Sequence, residues 1–96
     1  MTEAAFQAQV MTVLRLNGWL VAHVRDARAQ DATGLPDVVA VHPQRGVLFA
    51  ELKSATGRLR PDQERWIVAL SRQAGVKVRV WRPDDLPEVI ALAGGE

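Results

Sequence analysis

The sequence predicts one α/β sandwich, a central mixed sheet flanked by helices in the order αβββαβα, with residues 1–96 forming a single domain. Three observations predict it. A chain of 96 residues with 48% hydrophobic composition has room for one core and none for a second. Apolar residues recur at helical spacing near both ends and once in the middle. Between these stretches stand runs rich in valine, two of them separated by only five residues.

Thr2 suits the N-cap of a first helix over about residues 3–17, where Phe6, Val10, Val13 and Leu14 share a face until Asn17-Gly18 supplies a stop. Residues 19–24 are apolar and partly β-branched, a first strand. The polar stretch 25–34 reads as an exposed loop, and a loop that long in so small a chain often carries function. Residues 37–41 and 47–53 are strand-like, and the connection 42–46 has hairpin length, so they pair antiparallel. After a loop over 54–60, Pro61 fits the first position of a second helix, with Asp62 and Glu64 in its first turn. Trp66, Ile67, Leu70 and Ala74 form its apolar stripe and Gly75 ends it. Val76, Val78 and Val80 alternate with Lys77, Arg79 and Trp81 as a half-buried strand, and Pro83-Asp84-Asp85 leads into a short helix near 88–93.

Composition narrows the function. With no cysteine, a disulfide framework, a Cys-ligated zinc site, an iron–sulfur cluster and thiol catalysis are excluded together. Any metal must sit on oxygen or imidazole. The apolar runs fall far short of the ~20 residues of a membrane span, and the acidic start Met1-Thr2-Glu3 lacks the basic region of a signal peptide. A soluble, cytoplasmic protein without a membrane partner is expected. A formal charge of +1 is too small for a general polyanion binder. Ten of the 12 cations are nevertheless arginine, whose planar fork suits phosphate.

The hairpin concentrates the chemistry. Setting Val41 opposite Val47 places Val39 opposite Phe49 and Asp37 opposite Glu51. Lys53, two residues beyond Glu51, lies on the same face, because side chains alternate along a strand. Both hairpin faces are apolar and both are expected to be covered, so two like charges meet in partly buried surroundings and require a positive partner. Lys53 supplies one. A divalent cation explains more, since Mg²⁺ or Mn²⁺ takes one or two carboxylates, waters and substrate phosphate oxygens. The alternative is an ordinary charged cluster at a sheet end.

Glu3 stands three residues before Phe6 and seven before Val10, on the stripe the first helix turns inward, which makes it a candidate third carboxylate. Its other reading is a favourable acid in a first helical turn. Gln63 shares the face of Trp66, Ile67 and Leu70, and an inward amide there would orient Lys53 or a phosphate, or bond to nearby backbone. Serine hydrolysis has no support: His23 and His42 lie on different elements without a nucleophile elbow, and both are expected at the surface.

Gly34-Leu35-Pro36-Asp37, thirteen intervening residues, then Glu51-Leu52-Lys53 resembles the PD-(D/E)xK nuclease motif. The run from Gly57 through Gln63 to Trp66, then Ala74-Gly75-Val76-Lys77-Val78, and the opening Thr2-Glu3-Ala4-Ala5-Phe6 resemble the VRR-NUC branch of that superfamily, over about residues 2–92. A bare acidic motif has little specificity, but this one sits on the hairpin and between the helices that the fold requires. The resemblance implies a stand-alone, virus-type (phage) member: a restriction-endonuclease-like core acting as a Mg²⁺- or Mn²⁺-dependent DNA endonuclease, with small members working as homodimers on branched, Holliday-junction-like DNA. It implies that Asp37, Glu51 and the Leu52 backbone carbonyl bind the metal, and that Lys53 positions and helps deprotonate a water. Glu3 would hold a second ion, or the first through a water, and Gln63 would support the lysine or the substrate phosphate. Arg60 departs from the pattern, since a small hydroxyl residue would cap the second helix better.

Phosphate contacts would fall to Arg25 and Arg28 in the long loop and to Arg58, Arg60 and Arg65 around the start of the second helix. Symmetric cleavage of two strands requires a two-fold dimer, for which Trp19 and Trp81, with the outward Lys77 and Arg79, are candidate interface residues; either tryptophan suits the core equally well. The alternative function is a non-catalytic nucleic-acid-binding or partner-docking module on a nuclease fold.

Overall fold

A computed structural model describes residues 1–24 and 33–96. Its elements are α1 (Glu3–Leu16), β1 (Leu20–His23), β2 (Val38–His42), β3 (Gly46–Leu52), α2 (Pro61–Ser71), β4 (Val76–Trp81), a 3₁₀ turn (Pro83–Asp85) and α3 (Leu86–Ala93). This is the expected αβββαβα order. The strands form one mixed sheet in the order β1-β2-β3-β4. The first three are antiparallel neighbours and β4 joins β3 in parallel, with α2 as the crossover. The hairpin register is the expected one: Val41 pairs with Val47 and Val39 with Phe49.

Local chemistry sets the ends of α1. The Thr2 hydroxyl accepts from the Ala5 amide at 3.0 Å, and at the other end Gly18 turns at φ +88° after the Asn17 cap. The buried stripe Phe6, Val10 and Leu14 lays α1 on the sheet beside α3, whose Val89, Leu92 and Ala93 are also buried. Beneath them lie Val38, Ala40, Leu48, Ala50, Leu52 and Trp81. The period-two alternation of β2 and β3 thus sends one set of side chains into the core and leaves the other set to face α2.

That second face differs from the expectation of two covered faces. Leu20 is 79% exposed and its partner Val41 46%. A helix is about 10 Å across and strands lie about 4.8 Å apart, so one helix shelters roughly two strands of four. α2 is also a turn shorter than its apolar stripe suggests. The Gln73 side-chain amide donates to the Ala69 carbonyl at 3.3 Å, so a side chain takes a carbonyl that another turn would use. Ala74 lies outside the helix and is exposed.

Several side chains expected at the surface lie elsewhere. His42 is buried against Trp19, with ring centroids 5.3 Å apart. Its Nδ1 accepts from the Gln44 amide at 3.1 Å, and its Nε2 lies 3.1 Å from the Asn17 carbonyl and 2.6 Å from Arg45 Nη1. Trp19 and Trp81 both belong to the core, and their indole N–H groups donate to the Ala93 carbonyl and to Glu88. Lys77 and Arg79 are engaged within the chain as well, Lys77 on the Arg45 carbonyl at 2.6 Å and Arg79 on Glu88 at 3.4 Å. Among the described residues no helix is long and apolar enough to cross a membrane.

Candidate active site

Asp37 stands one residue before β2, and the expected pairing with Glu51 takes the form of interlocked hydrogen bonds. The Asp37 amide donates to Glu51 Oε1 at 3.2 Å, while Asp37 Oδ2 accepts from the Leu52 amide at 3.0 Å. Each carboxylate thereby secures the other's strand. Lys53 Nζ approaches Glu51 Oε2 at 3.7 Å, with both side chains largely buried. Asp37, Glu51 and Lys53 are brought together.

Gln63 completes the group, acting on the glutamate and not on the lysine. Its Nε2 donates to Glu51 Oε2 at 2.6 Å and its Oε1 accepts from the Arg60 amide at 2.9 Å. Gln63 is the one fully buried residue of α2. The side chain that fastens Glu51 of β3 also caps the helix, together with Asp62, which accepts from the Gln63 amide at 3.0 Å. These acceptors supply what Arg60, a donor-only side chain, lacks as an N-cap. Arg60 pairs with Asp62 at 3.2 Å and holds that carboxyl below its ordinary range.

Gly34 explains how α2 comes so close. It has φ +89°, and a Cβ there would lie 2.5 Å from the Asp62 carbonyl and 2.9 Å from the Gln63 nitrogen. The loop bearing Pro36-Asp37 is therefore seated directly on the helix start, with no space for a side chain. Sequence reading places Gly34 in the motif without giving it this task. A glycine three residues before Asp37, ahead of a Pro-initiated helix, is the signal.

Electrostatics mark Glu51 as the unusual group. Burial, and then the charge and hydrogen bond of Asp37, push its carboxyl up from 4.5 to about 7, against the opposing pull of Lys53. Two acids, one of them buried, compete for a single ammonium. The donor set fits a hard divalent cation, which takes one or two carboxylates and completes its shell with water and phosphate oxygens. Asp37 and Glu51 would hold it, beside the Leu52 backbone.

Other expected residues lie apart. The inward position expected for Glu3 is not found: its side chain is exposed, because the buried stripe of α1 begins only at Phe6. Among the described residues no three Asp, Glu or His side chains gather where one ion would bind them, so Glu3 does not join Asp37 and Glu51. Arg58, Arg60 and Arg65 are exposed around the start of α2. Arg65 lines a cleft of about 470 Å³ with Thr33, Asp62, Trp66 and Ala69. Arg25 and Arg28 lie outside the described residues.

A family model described as the VRR-NUC domain matches residues 6–84, which include Asp37, Glu51, Lys53 and Gln63. The chain belongs to the VRR-NUC domain family. Comparison with curated proteins and with solved structures returned no match. Membership of the VRR-NUC family makes this a nuclease-type domain on a restriction-endonuclease-like α/β core, with DNA as the implied substrate.

Proposed function

We propose that the protein is a Mg²⁺- or Mn²⁺-dependent endonuclease that hydrolyses DNA phosphodiester bonds, selective for branched, Holliday-junction-like DNA and working as a homodimer in the cytoplasm. The observation that carries the hydrolytic reading is the interlocked pair Asp37 and Glu51 with Lys53 3.7 Å from the glutamate. When bound, the cation supplies Lewis-acid charge for the phosphoryl oxygens and lowers the pKa of a water. Asp37 and Glu51 would hold it at the end of the two central strands, and Gln63 fixes the Glu51 carboxylate by donating to Oε2. Lys53 orients the attacking water and eases loss of its proton. Arg25, Arg28, Arg58, Arg60 and Arg65 engage backbone phosphates. A single centre per chain cuts one strand, and a two-fold dimer presents two centres to a symmetric junction.

The test incubates the purified protein with labelled linear, nicked, flapped and four-way DNAs in Mg²⁺ or Mn²⁺, and again with chelator. Cleavage is expected with metal only and fastest on the four-way substrate. Asp37→Asn keeps an oxygen for the Leu52 amide and so keeps the fold, while cleavage falls to background. Cleavage by that variant at the parental rate would overturn the assignment. DNA binding without hydrolysis in either metal would favour the non-catalytic module instead.

A further inference from the structure

Among the described residues the charge of Arg82 is left unanswered. β3 and β4 run parallel and the Lys53 amide donates to the Trp81 carbonyl at 3.0 Å, so Arg82 leaves the sheet at the same end as Lys53. Its half-buried side chain turns onto the loop that follows Lys53. There Nη1 donates to the Ser54 carbonyl at 2.7 Å and to the Gly57 carbonyl at 2.6 Å. Those bonds use both hydrogens of Nη1. The Nε–H and the two N–H groups of Nη2, which form the other edge of the fork, have no acceptor among the described residues.

No carboxylate of the described residues pairs with Arg82 either. Arg60 is answered by Asp62 and Arg79 by Glu88, whereas the nearby Asp85 accepts the Arg82 backbone amide at 2.8 Å. Two carbonyls satisfy hydrogen bonds but not a full positive charge, and a partly buried guanidinium is stabilised by an anion on its free edge. Its location suits one, because ligands of open α/β sheets bind outside the carboxyl ends of parallel strands. Arg58, next to Gly57, adds positive charge on the same loop.

We propose that Arg82 contacts a backbone phosphate of the bound DNA strand, its Nε–H and Nη2–H donating side by side to two phosphate oxygens while Nη1 holds the Ser54–Gly57 carbonyls. This rests on the DNA-cleaving function proposed above and adds a binding residue that the nuclease motif does not include. The contact positions the strand beside Lys53. It takes no part in bond breaking.

The test measures binding of a labelled linear duplex and a four-way DNA by the full chain across a salt series, with Ca²⁺ replacing Mg²⁺. Each phosphate contact contributes about 0.9 to the slope of log K against log[salt] on duplex DNA. Arg82→Gln is expected to lower that slope by about 0.9, and Arg82→Lys to retain it. In Mg²⁺, Arg82→Gln is expected to raise KM several-fold more than it lowers kcat. A folded Arg82→Gln protein with the parental slope would overturn the proposal. Should that variant fail to fold, the Nε–H resonance of Arg82 in the ¹⁵N-labelled parent decides: a downfield shift on adding the duplex supports the contact, and an unmoved signal refutes it. A parent that binds with an Arg82-dependent slope but never cleaves would end the nuclease reading and leave this contact standing. A parent that cleaves with an Arg82-independent slope would end this proposal alone.

Discussion

Under α1 and α3 the sheet presents Val38, Ala40, Leu48, Ala50, Leu52 and Trp81, none more than 1% exposed. Toward α2 it presents a valine 46% exposed, while the side chains buried there include a glutamate and a glutamine. One face is closed and apolar, the other half open and charged. Folding free energy is gained on the first, at about 1.5–3 kcal/mol for each fully buried large apolar side chain. The second holds two carboxylates close together, an arrangement that costs stability in the absence of a cation. The sandwich divides its labour by face, and the alternation along β3, with Leu48, Ala50 and Leu52 on one side and Phe49 and Glu51 on the other, is what divides it.

The division predicts opposite responses to mutation. The largest effect on stability belongs to the closed face: Leu48→Ala should lose about 2–5 kcal/mol in denaturant unfolding, with specific activity of the folded fraction unchanged. A fall in activity beyond the unfolded fraction would show that the two faces are coupled. Gln63→Leu acts on the open face. It removes the 2.6 Å bond to Glu51 while keeping similar bulk, so metal-dependent cleavage should drop about 10–100-fold, as for other residues that orient a metal ligand. Far-ultraviolet circular dichroism should be unchanged, and a rate near the parental one would separate Gln63 from the site.

A smaller effect follows from Glu51. Its carboxyl titrates at about 7 in the folded chain, above its ordinary 4.5, so the folded state holds this proton more tightly than the unfolded state. The associated stability is fully present below pH 4.5 and is lost as pH rises through about 7. In chelator, unfolding free energy should therefore decline by roughly 1–3 kcal/mol between pH 5 and 8. Added Mg²⁺ should recover stability at the upper end, because it binds the ionised pair. A flat chelated profile would mean that Glu51 carries no such cost. The smallest change is expected at the exposed Glu3: Glu3→Gln should alter stability by no more than about 0.5 kcal/mol.

Much of this could be read from residue order. The hairpin register, and with it the approach of Asp37 to Glu51, followed from a five-residue connection and a period of two, both local properties. The same locality explains the misreadings. Glu3 shares helical spacing with Phe6 and Val10, yet spacing fixes only an angle about the helix axis and not how far along that axis the sheet extends. His42 looked superficial in a turn, but it lies under Trp19, a neighbour remote in the chain.

Periodicity, caps and turn residues were thus sufficient for the αβββαβα order, the strand faces and the grouping of Asp37, Glu51 and Lys53, since each depends on residues close in sequence or paired through one short turn. Contacts between distant segments needed the folded chain: Gly34 seated on the start of α2, Gln63 on Glu51, and Arg82 on the Ser54–Gly57 loop. They join residues 12 to 29 positions apart across different elements. Which of the many such pairs meet is decided by how helices and sheet pack as bodies, and no local pattern encodes that.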